Sequence, residues 1–347
     1  VKAGDRRGPL RRGWSAWRMR AKRRQLILRA MRAGRGLQPL ADRTAAIRPG
    51  DILGFVTLRN EMQRLPEFLA HYRALGVAHF LMVDNASTDG GADYLRSQPD
   101  VSLWSAPGSY REARFGMDWL SALLLRHGRG HWCLSVDADE LLVYPHCDSR
   151  DLRALTAHLD AQGIAGMGAL MLDLYPQGPL DQAPATGSVT ERLPWFDPGP
   201  YRCQVMAPRR NRWVQGGVRA RVFFADRPKR APTLNKLPLI RWHWRYAYVN
   251  STHSMLPARL NDLYDGPGDA RLCGVLLHSK FLPDIAARSA EELARRQHFA
   301  DPDAYAGYHR ALTDAPDLWH ADSVRYRDWR QLVALGLMAG EGWPGDP

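Results

Sequence analysis

The sequence predicts an α/β protein with a mainly parallel central sheet, and three observations predict it. From Asp51 onward, apolar runs of strand length alternate with segments whose apolar residues recur at helical spacing. Those runs are apolar throughout rather than at every second position, as expected of strands covered on both faces. Their last residues turn polar, and in such sheets ligands gather outside the carboxyl ends of the strands.

The series opens with "DILGFVTLRNE", a strand that ends in Arg59, Asn60 and Glu61. The segment "RNEMQRLPEFLAHYRALG" then places Leu65, Phe68, Leu69, Tyr72 and Leu75 on one helical face, with Asn60 as the expected cap and Gly76 as the stop. "VAHFLMVDN" is the second strand, ending at Asp84 and Asn85, "STDGGADYLRSQ" a short helix, and "VSLWSA" the third strand. "REARFGMDWLSALLLRHGRG" reads as a longer helix with Phe115, Trp119, Leu120, Leu123 and Leu124 turned inward. The fourth strand is "HWCLSVDADELLVYP".

Beyond it, "LRALTAHLDAQG" predicts a helix and "MGALMLDLYPQG" a strand, followed by a loop rich in Pro and Gly over 177–208. "GGVRARVFF", "IRWHWRYAYV" and "CGVLLHSKFL" read as strands of an antiparallel or mixed region. "IAARSAEELARRQHF", "YAGYHRAL" and "YRDWRQLVALGLM" read as helices. The expected divisions are a basic arm and linker over 1–50, an α/β domain over 51–285 and a helical extension over 286–347.

At 347 residues, with 45% apolar and 24% charged residues, the chain has the composition of a globular protein with a large core. Its net charge of +12 is concentrated: residues 1–50 hold 15 Lys or Arg against Asp5 and Asp42, leaving 33 basic and 34 acidic residues elsewhere. Cys133, Cys147, Cys203 and Cys273 have neither zinc-site nor disulfide-framework spacing, so a reducing cytoplasm is expected. The arm mixes Trp14, Trp17, Leu28 and Met31 with dense arginines, with 38–50 as the linker into the body. Three readings stay open for the arm: an amphipathic helix on an anionic membrane surface, a nucleic-acid contact, or a basic tail packed on the body.

In an extended strand Asp137 and Asp139 share a face, and two carboxylates side by side call for a cation. A divalent metal satisfies them and leaves positions open to a phosphate. The alternative is an acidic strand end that caps a helix or faces water. Glu140 points the other way, as a structural or supporting group.

"FVTLRNE", "VDNASTDG", "EARFG" and "VDADE", in this order over about 90 residues, together resemble the family 2 glycosyltransferases of the GT-A fold. "QGGVRARVFF", "NKLPLIRW", "YVNSTH", "LLHSKFL" and "RRQHF" resemble a bacterial subgroup of that family, extending the likeness over most of 51–335. The resemblance implies a mainly parallel sheet with helices on both faces, an irregular acceptor region and a helical C-terminus. It implies a metal-dependent enzyme that moves a sugar from a nucleotide-sugar donor to a hydroxyl of a glycan, lipid or other acceptor with inversion, with cell-surface glycan synthesis as an expected setting. Carried over, Asn60, Glu61, Asp84, Arg114 and Asp137 surround the nucleotide, while Asp137, Asp139 and His278 hold Mn²⁺ or Mg²⁺. An imidazole ligand favours Mn²⁺.

No E-D pair opens a helix after Asp139, which departs from the family's pattern for the general base. Asp197, in "PWFDPG", is the expected base, with Asp173 and Glu191 as alternatives. Lys236, Arg219 and Arg221 are candidate phosphate contacts or surface charges, His243 and His253 weaker metal candidates, and Trp195, Phe196, Trp242 and Trp244 sugar-stacking or core aromatics. A nucleotidyltransferase would share the α/β nucleotide site, but "TLRNEMQRL" contains no glycine for a phosphate loop. A non-catalytic protein acting through its basic arm on membrane or nucleic acid is the remaining alternative. The expected location is cytoplasmic, peripheral on the inner face of the cytoplasmic membrane.

Overall fold

A computed structural model describes residues 9–295, 302–340 and 342–343 of the chain. Helix α1 (Pro9–Ala33) leads to β1 (Gln38–Ala41), after which β2 (Ile52–Leu58), α2 (Leu65–Ala74), β3 (His79–Asp84), α3 (Gly91–Ser97), β4 (Val101–Ser105), α4 (Met117–His127) and β5 (Trp132–Ser135) alternate. β6 (Glu140–Val143), α5 (Leu152–Ala161) and β7 (Gly166–Asp173) follow. The later strands are β8 (Trp195–Phe196), β9 (Tyr201–Met206), β10 (Asn211–Gly216), β11 (Asn235–Arg241), β12 (Ala247–Tyr248), β13 (Met255–Leu256) and β14 (Gly274–His278).

Nine strands form one sheet in the order β1-β4-β3-β2-β5-β11-β7-β14-β6. β2, β3, β4, β5, β7 and β14 run in one direction, and β1, β6 and β11 run against them, so the sheet is mixed and mostly parallel. Side chains alternate between two cores because successive residues of a strand point to opposite faces. Ile52, Val56, Phe80 and Met82 pack with α2, α3 and α5, whereas Leu53, Phe55, Leu81 and Val83 pack with α4. The chain builds outward from β2 through β3 to β4, then places β5 on the other side of β2. The crevice outside the carboxyl ends of β2 and β5 is therefore the switch point at which ligands bind in sheets of this kind.

Several local expectations are corrected. "HWCLSVDADELLVYP" is not one strand: β5 ends at Ser135, a turn carries Asp137 and Asp139, and β6 pairs antiparallel with β14 at the far edge of the sheet. α2 begins at Leu65, not at Asn60, whose φ of 53° sits in the left-handed region. "GGVRARVFF" is not a strand, because Gly217, at φ 62°, ends β10 and Arg219–Phe223 close a single π turn. "IRWHWRYAYV" breaks at Trp242, where the chain turns before β12. The expected linker contributes β1, an edge strand on β4, and α1 packs along α4.

The C-terminal helices Ile285–Arg295 and Pro302–Thr313 pack with each other, while Ile285, Tyr308 and Leu312 share a third apolar cluster with Tyr175, Val218 and Phe281. All but the first residue of "RRQHF" lies outside the described residues. No helix among the described residues is long and apolar enough to cross a membrane.

Candidate active site

The D-x-D segment occupies the switch point. The Val136 N–H donates to Phe55 O at 3.3 Å and the Glu140 N–H to Asp137 O at 3.1 Å, so the turn is pinned to β2 and closed on itself. The two aspartates separate. Asp137 is half-exposed and pairs with Lys236 at 2.8 Å, and the same ammonium meets the fully buried Glu140 at 2.8 Å. Burial works against charge on Lys236, but Asp137 and Glu140 outweigh it and raise its pKa above the usual lysine value. Lys236 stands on β11, the antiparallel strand inserted between β5 and β7.

Asp139 turns to His278 instead. His278 ends β14, its Nε2 lies 3.1 Å from Asp139 Oδ2, and its Nδ1 lies 2.6 Å from Asp173 Oδ1. Asp173 is placed there by register, since β7 and β14 run parallel with Asp173 opposite His278. Its second oxygen accepts from Arg219 Nε at 2.7 Å. Burial works against charge on the imidazole, yet the flanking carboxylates prevail and raise its pKa to about 9. Asp173 is also buried, but Arg219 and His278 bring it down to about 2. Burial likewise pushes Asp139 up, and His278, Arg64 and Arg288 overturn that and lower it well below the carboxylate range.

A second ionic cluster fixes the turn from behind. The Ser279 N–H donates to Asp139 O at 2.8 Å, and Ser279 O accepts from Arg64 Nη2 at 3.2 Å. Arg64 and Arg288 both hold Glu61. Glu61, expected beside the nucleotide, ties the first strand end to the C-terminal helix through these ion pairs.

Beside this turn lies a pocket lined by Thr57, Tyr110, Phe115, Met117, Leu120, Val136, Asp137 and Thr252. The loops after β2 and β3 are stitched together: the Asn60 N–H donates to Ser87 Oγ at 2.9 Å, and Asn60 Oδ1 accepts from the Thr88 N–H at 2.8 Å. Asn60, expected beside the nucleotide, thus ties these two loops to each other. Asp84 is buried, accepts from the Ser87 N–H through Oδ2 at 3.1 Å, and leaves Oδ1 without a protein donor. Thr57 and Thr252 also leave buried hydroxyls unpartnered, so the site holds polar groups that a ligand would satisfy. Arg114, in the left-handed turn before α4, reaches Tyr248 O at 3.2 Å and Asp118 at 3.2 Å.

None of the three expected general bases presents a free carboxylate. Asp197, the expected base, is buried, accepts from Tyr175 OH and from Arg221 Nε at 2.8 Å, and lies in a cluster with Ser323 and Tyr201. Glu191 closes a capping box with Ser188 on the surface helix Val189–Arg192. Asp173 orients His278. Lys236, Arg219 and Arg221, read from sequence as phosphate contacts or surface charges, are each committed to a buried carboxylate or carboxylates. His253 bonds Asn235 O at 2.6 Å and His243 lies in the exposed turn after β11, so neither joins the site. Phe196 and Trp242 are core, whereas Trp244 is exposed.

The expected metal set comes together in part. Among the described residues no three His, Cys, Asp or Glu side chains converge on one point suited to a metal ion. Asp139 and His278 fit one as a pair, because they place a carboxylate oxygen against an imidazole nitrogen. Asp173 behind Nδ1 is the outer carboxylate that orients metal-bound histidines. Asp137 is held off by Lys236. No protein-family model matches the chain, and no curated protein matches it.

Proposed function

We propose that the chain is a metal-dependent glycosyltransferase of the GT-A fold that transfers a sugar from a nucleotide-sugar donor to an acceptor hydroxyl with inversion. The observation that carries this reading is the pairing of Asp139 with His278 beside a small pocket of mixed polar and apolar lining at the point where the strand order reverses. The four motifs that resemble family 2 glycosyltransferases meet around that same crevice, which adds support.

In this reading Asp139 and His278 would hold Mn²⁺ or Mg²⁺, and the ion would supply positive charge to a nucleotide diphosphate. Asp173 accepts a hydrogen bond from the Nδ1–H of His278 and so leaves Nε2 facing Asp139. Lys236 keeps Glu140 compensated and steers Asp137 to the mouth of the site. Asp84 Oδ1 and the Thr57 and Thr252 hydroxyls offer hydrogen bonds to base and ribose, and Arg114 contributes positive charge at the start of α4. The left-handed turn at Arg114, Phe115 and Gly116 brings Phe115 into the pocket wall.

Thermal shift with UDP-, GDP- and CMP-sugars, with and without Mn²⁺, tests the proposal. One donor is expected to raise the midpoint in the presence of Mn²⁺, by a stabilisation of about 2.7 kcal/mol at a hundredfold excess over Kd. Asp139→Asn is expected to abolish the Mn²⁺-dependent part. If no donor stabilises the protein, or if Asp139→Asn leaves the gain intact, the reading is wrong.

A further inference from the structure

Helix α1 has two apolar faces, and only one touches the body. Leu26 and Ala30 are buried, and Leu26 packs with Ala247 and Leu256, joined by Met19 and Ile27. At 100° per residue, Trp14, Trp17, Leu28 and Met31 fall on the opposite side, in a stripe that also includes Ala21 and Arg24. Their exposures are 61%, 53%, 51% and 56%, so four large apolar side chains stand in solvent on one line. Trp14 and Trp17 stack at 5.0 Å between ring centroids. Scattered exposed hydrophobics are ordinary, but an aligned stripe facing away from the core marks a contact surface.

The charges around the stripe say what it contacts. Arg18, Arg20, Arg24 and Arg32 are exposed, no acidic residue occurs between Pro9 and Ala33, and none of these four arginines has an acidic partner among the described residues. The fold adds to this excess from distant parts of the sequence. Trp244 and Arg245, in the turn after β11, and Arg129, in the turn after α4, are exposed close to α1: Gly130 and His131 hydrogen-bond Trp242 across the two turns, and α1 packs on the neighbouring β12. Arg245 stacks over Trp244 at 4.7 Å. The like charges of Arg20, Arg24 and Arg245 add to burial in lowering the pKa of Arg23, a sign that they share one field.

We propose that the outward face of α1, with Arg129, Trp244 and Arg245 beside it, docks the protein on an anionic lipid bilayer. Arginines meet the headgroups while Trp14, Trp17, Leu28 and Met31 enter the headgroup and acyl boundary. Nucleic acid would satisfy the arginines and could stack on the tryptophans, but it offers nothing to Leu28 and Met31. The inference concerns a face distinct from the Asp139–His278 site and stands without the transferase reading.

Sedimentation of the full chain with phosphatidylcholine vesicles, and with vesicles that also contain phosphatidylglycerol, tests it. Binding is expected only to the mixed vesicles and should weaken with salt. Arg20→Ala combined with Arg24→Ala should weaken it about 25-fold, at about fivefold per arginine. Trp14→Ser combined with Trp17→Ser should weaken it about tenfold or more with an unchanged thermal midpoint, since both rings are exposed. The proposal is overturned if the chain ignores mixed vesicles, or if the tryptophan variant binds them as wild type. Tighter binding to a DNA or RNA oligonucleotide than to mixed vesicles overturns it as well.

Discussion

The Nε2 of His278 stands 3.1 Å from Asp139 Oδ2, although the two residues are far apart in the chain. The antiparallel pairing of β6 with β14, which puts Glu140 opposite His278, sets this contact, and the hydrogen bond from the Ser279 N–H to Asp139 O extends it. Asp173, directly across from His278 in the ladder, completes the line.

Asp173→Asn should lower Mn²⁺ affinity about 10- to 100-fold, because an amide holds the Nδ1 proton less firmly than a carboxylate. Titration calorimetry with Mn²⁺ reads this, using Glu191→Gln as the control on the surface helix. Equal affinities for Asp173→Asn and wild type would remove Asp173 from the metal-site description.

Lys236→Met leaves Glu140 buried without its counter-charge and should cost about 3–5 kcal/mol in urea unfolding. Combining it with Glu140→Gln should recover most of the loss, since an amide needs no counter-ion. A double variant no more stable than Lys236→Met would show that the ammonium acts through Asp137 alone.

Asp197→Asn is expected to act on stability rather than on chemistry. The carboxylate is buried against Arg221 and Tyr175, and weakening that pair should cost on the order of 2–3 kcal/mol. Transfer by the folded fraction should stay near wild type. A loss of turnover of about a thousandfold with an unchanged midpoint would restore Asp197 as the base.

Gly116 has φ 75°, and a Cβ there would stand 2.6 Å from Thr57 Cγ2. Gly116→Ala should cost more than about 1 kcal/mol and displace Thr57 or Phe115 from the pocket wall. Nucleotide affinity measured by calorimetry should fall with it. Retained affinity would separate this turn from the proposed nucleotide site.

Burial, reinforced by the charge of Lys236, lowers the pKa of His253 from 6.5 to about 3, and its Nδ1 bonds Asn235 O. A depressed folded-state value means that the unfolded chain takes up the proton first. The contribution to stability is therefore fully present above pH 6.5 and is lost as pH falls toward about 3. Urea midpoints from pH 7 down to pH 4 should fall more steeply for wild type than for His253→Gln. Parallel slopes would count against it.

The alternation of β2, α2, β3, α3, β4, α4 and β5 was legible from spacing alone, because each element carries its own apolar period and its own polar end. The gathering of Asp84 and the D-x-D segment at the strand ends was legible for the same reason. The uses of Glu61 and Asp197 were not, since an acidic residue reads alike whether it meets an arginine or a substrate.

What the sequence determined by itself was local: strand and helix periods, the basic character of residues 1–50, and an acidic segment after β5. Tertiary structure decided which carboxylate goes to which partner. Inserting β11 antiparallel beside β5 delivers Lys236 to Asp137 and Glu140, and placing β14 between β7 and β6 delivers His278 to Asp173 and Asp139. It also decided that α1 buries one face on the body and leaves the stripe of Trp14, Trp17, Leu28 and Met31 in solvent. The reason is physical: these are non-local pairings fixed by register and packing, and no periodicity within one segment encodes its distant neighbour.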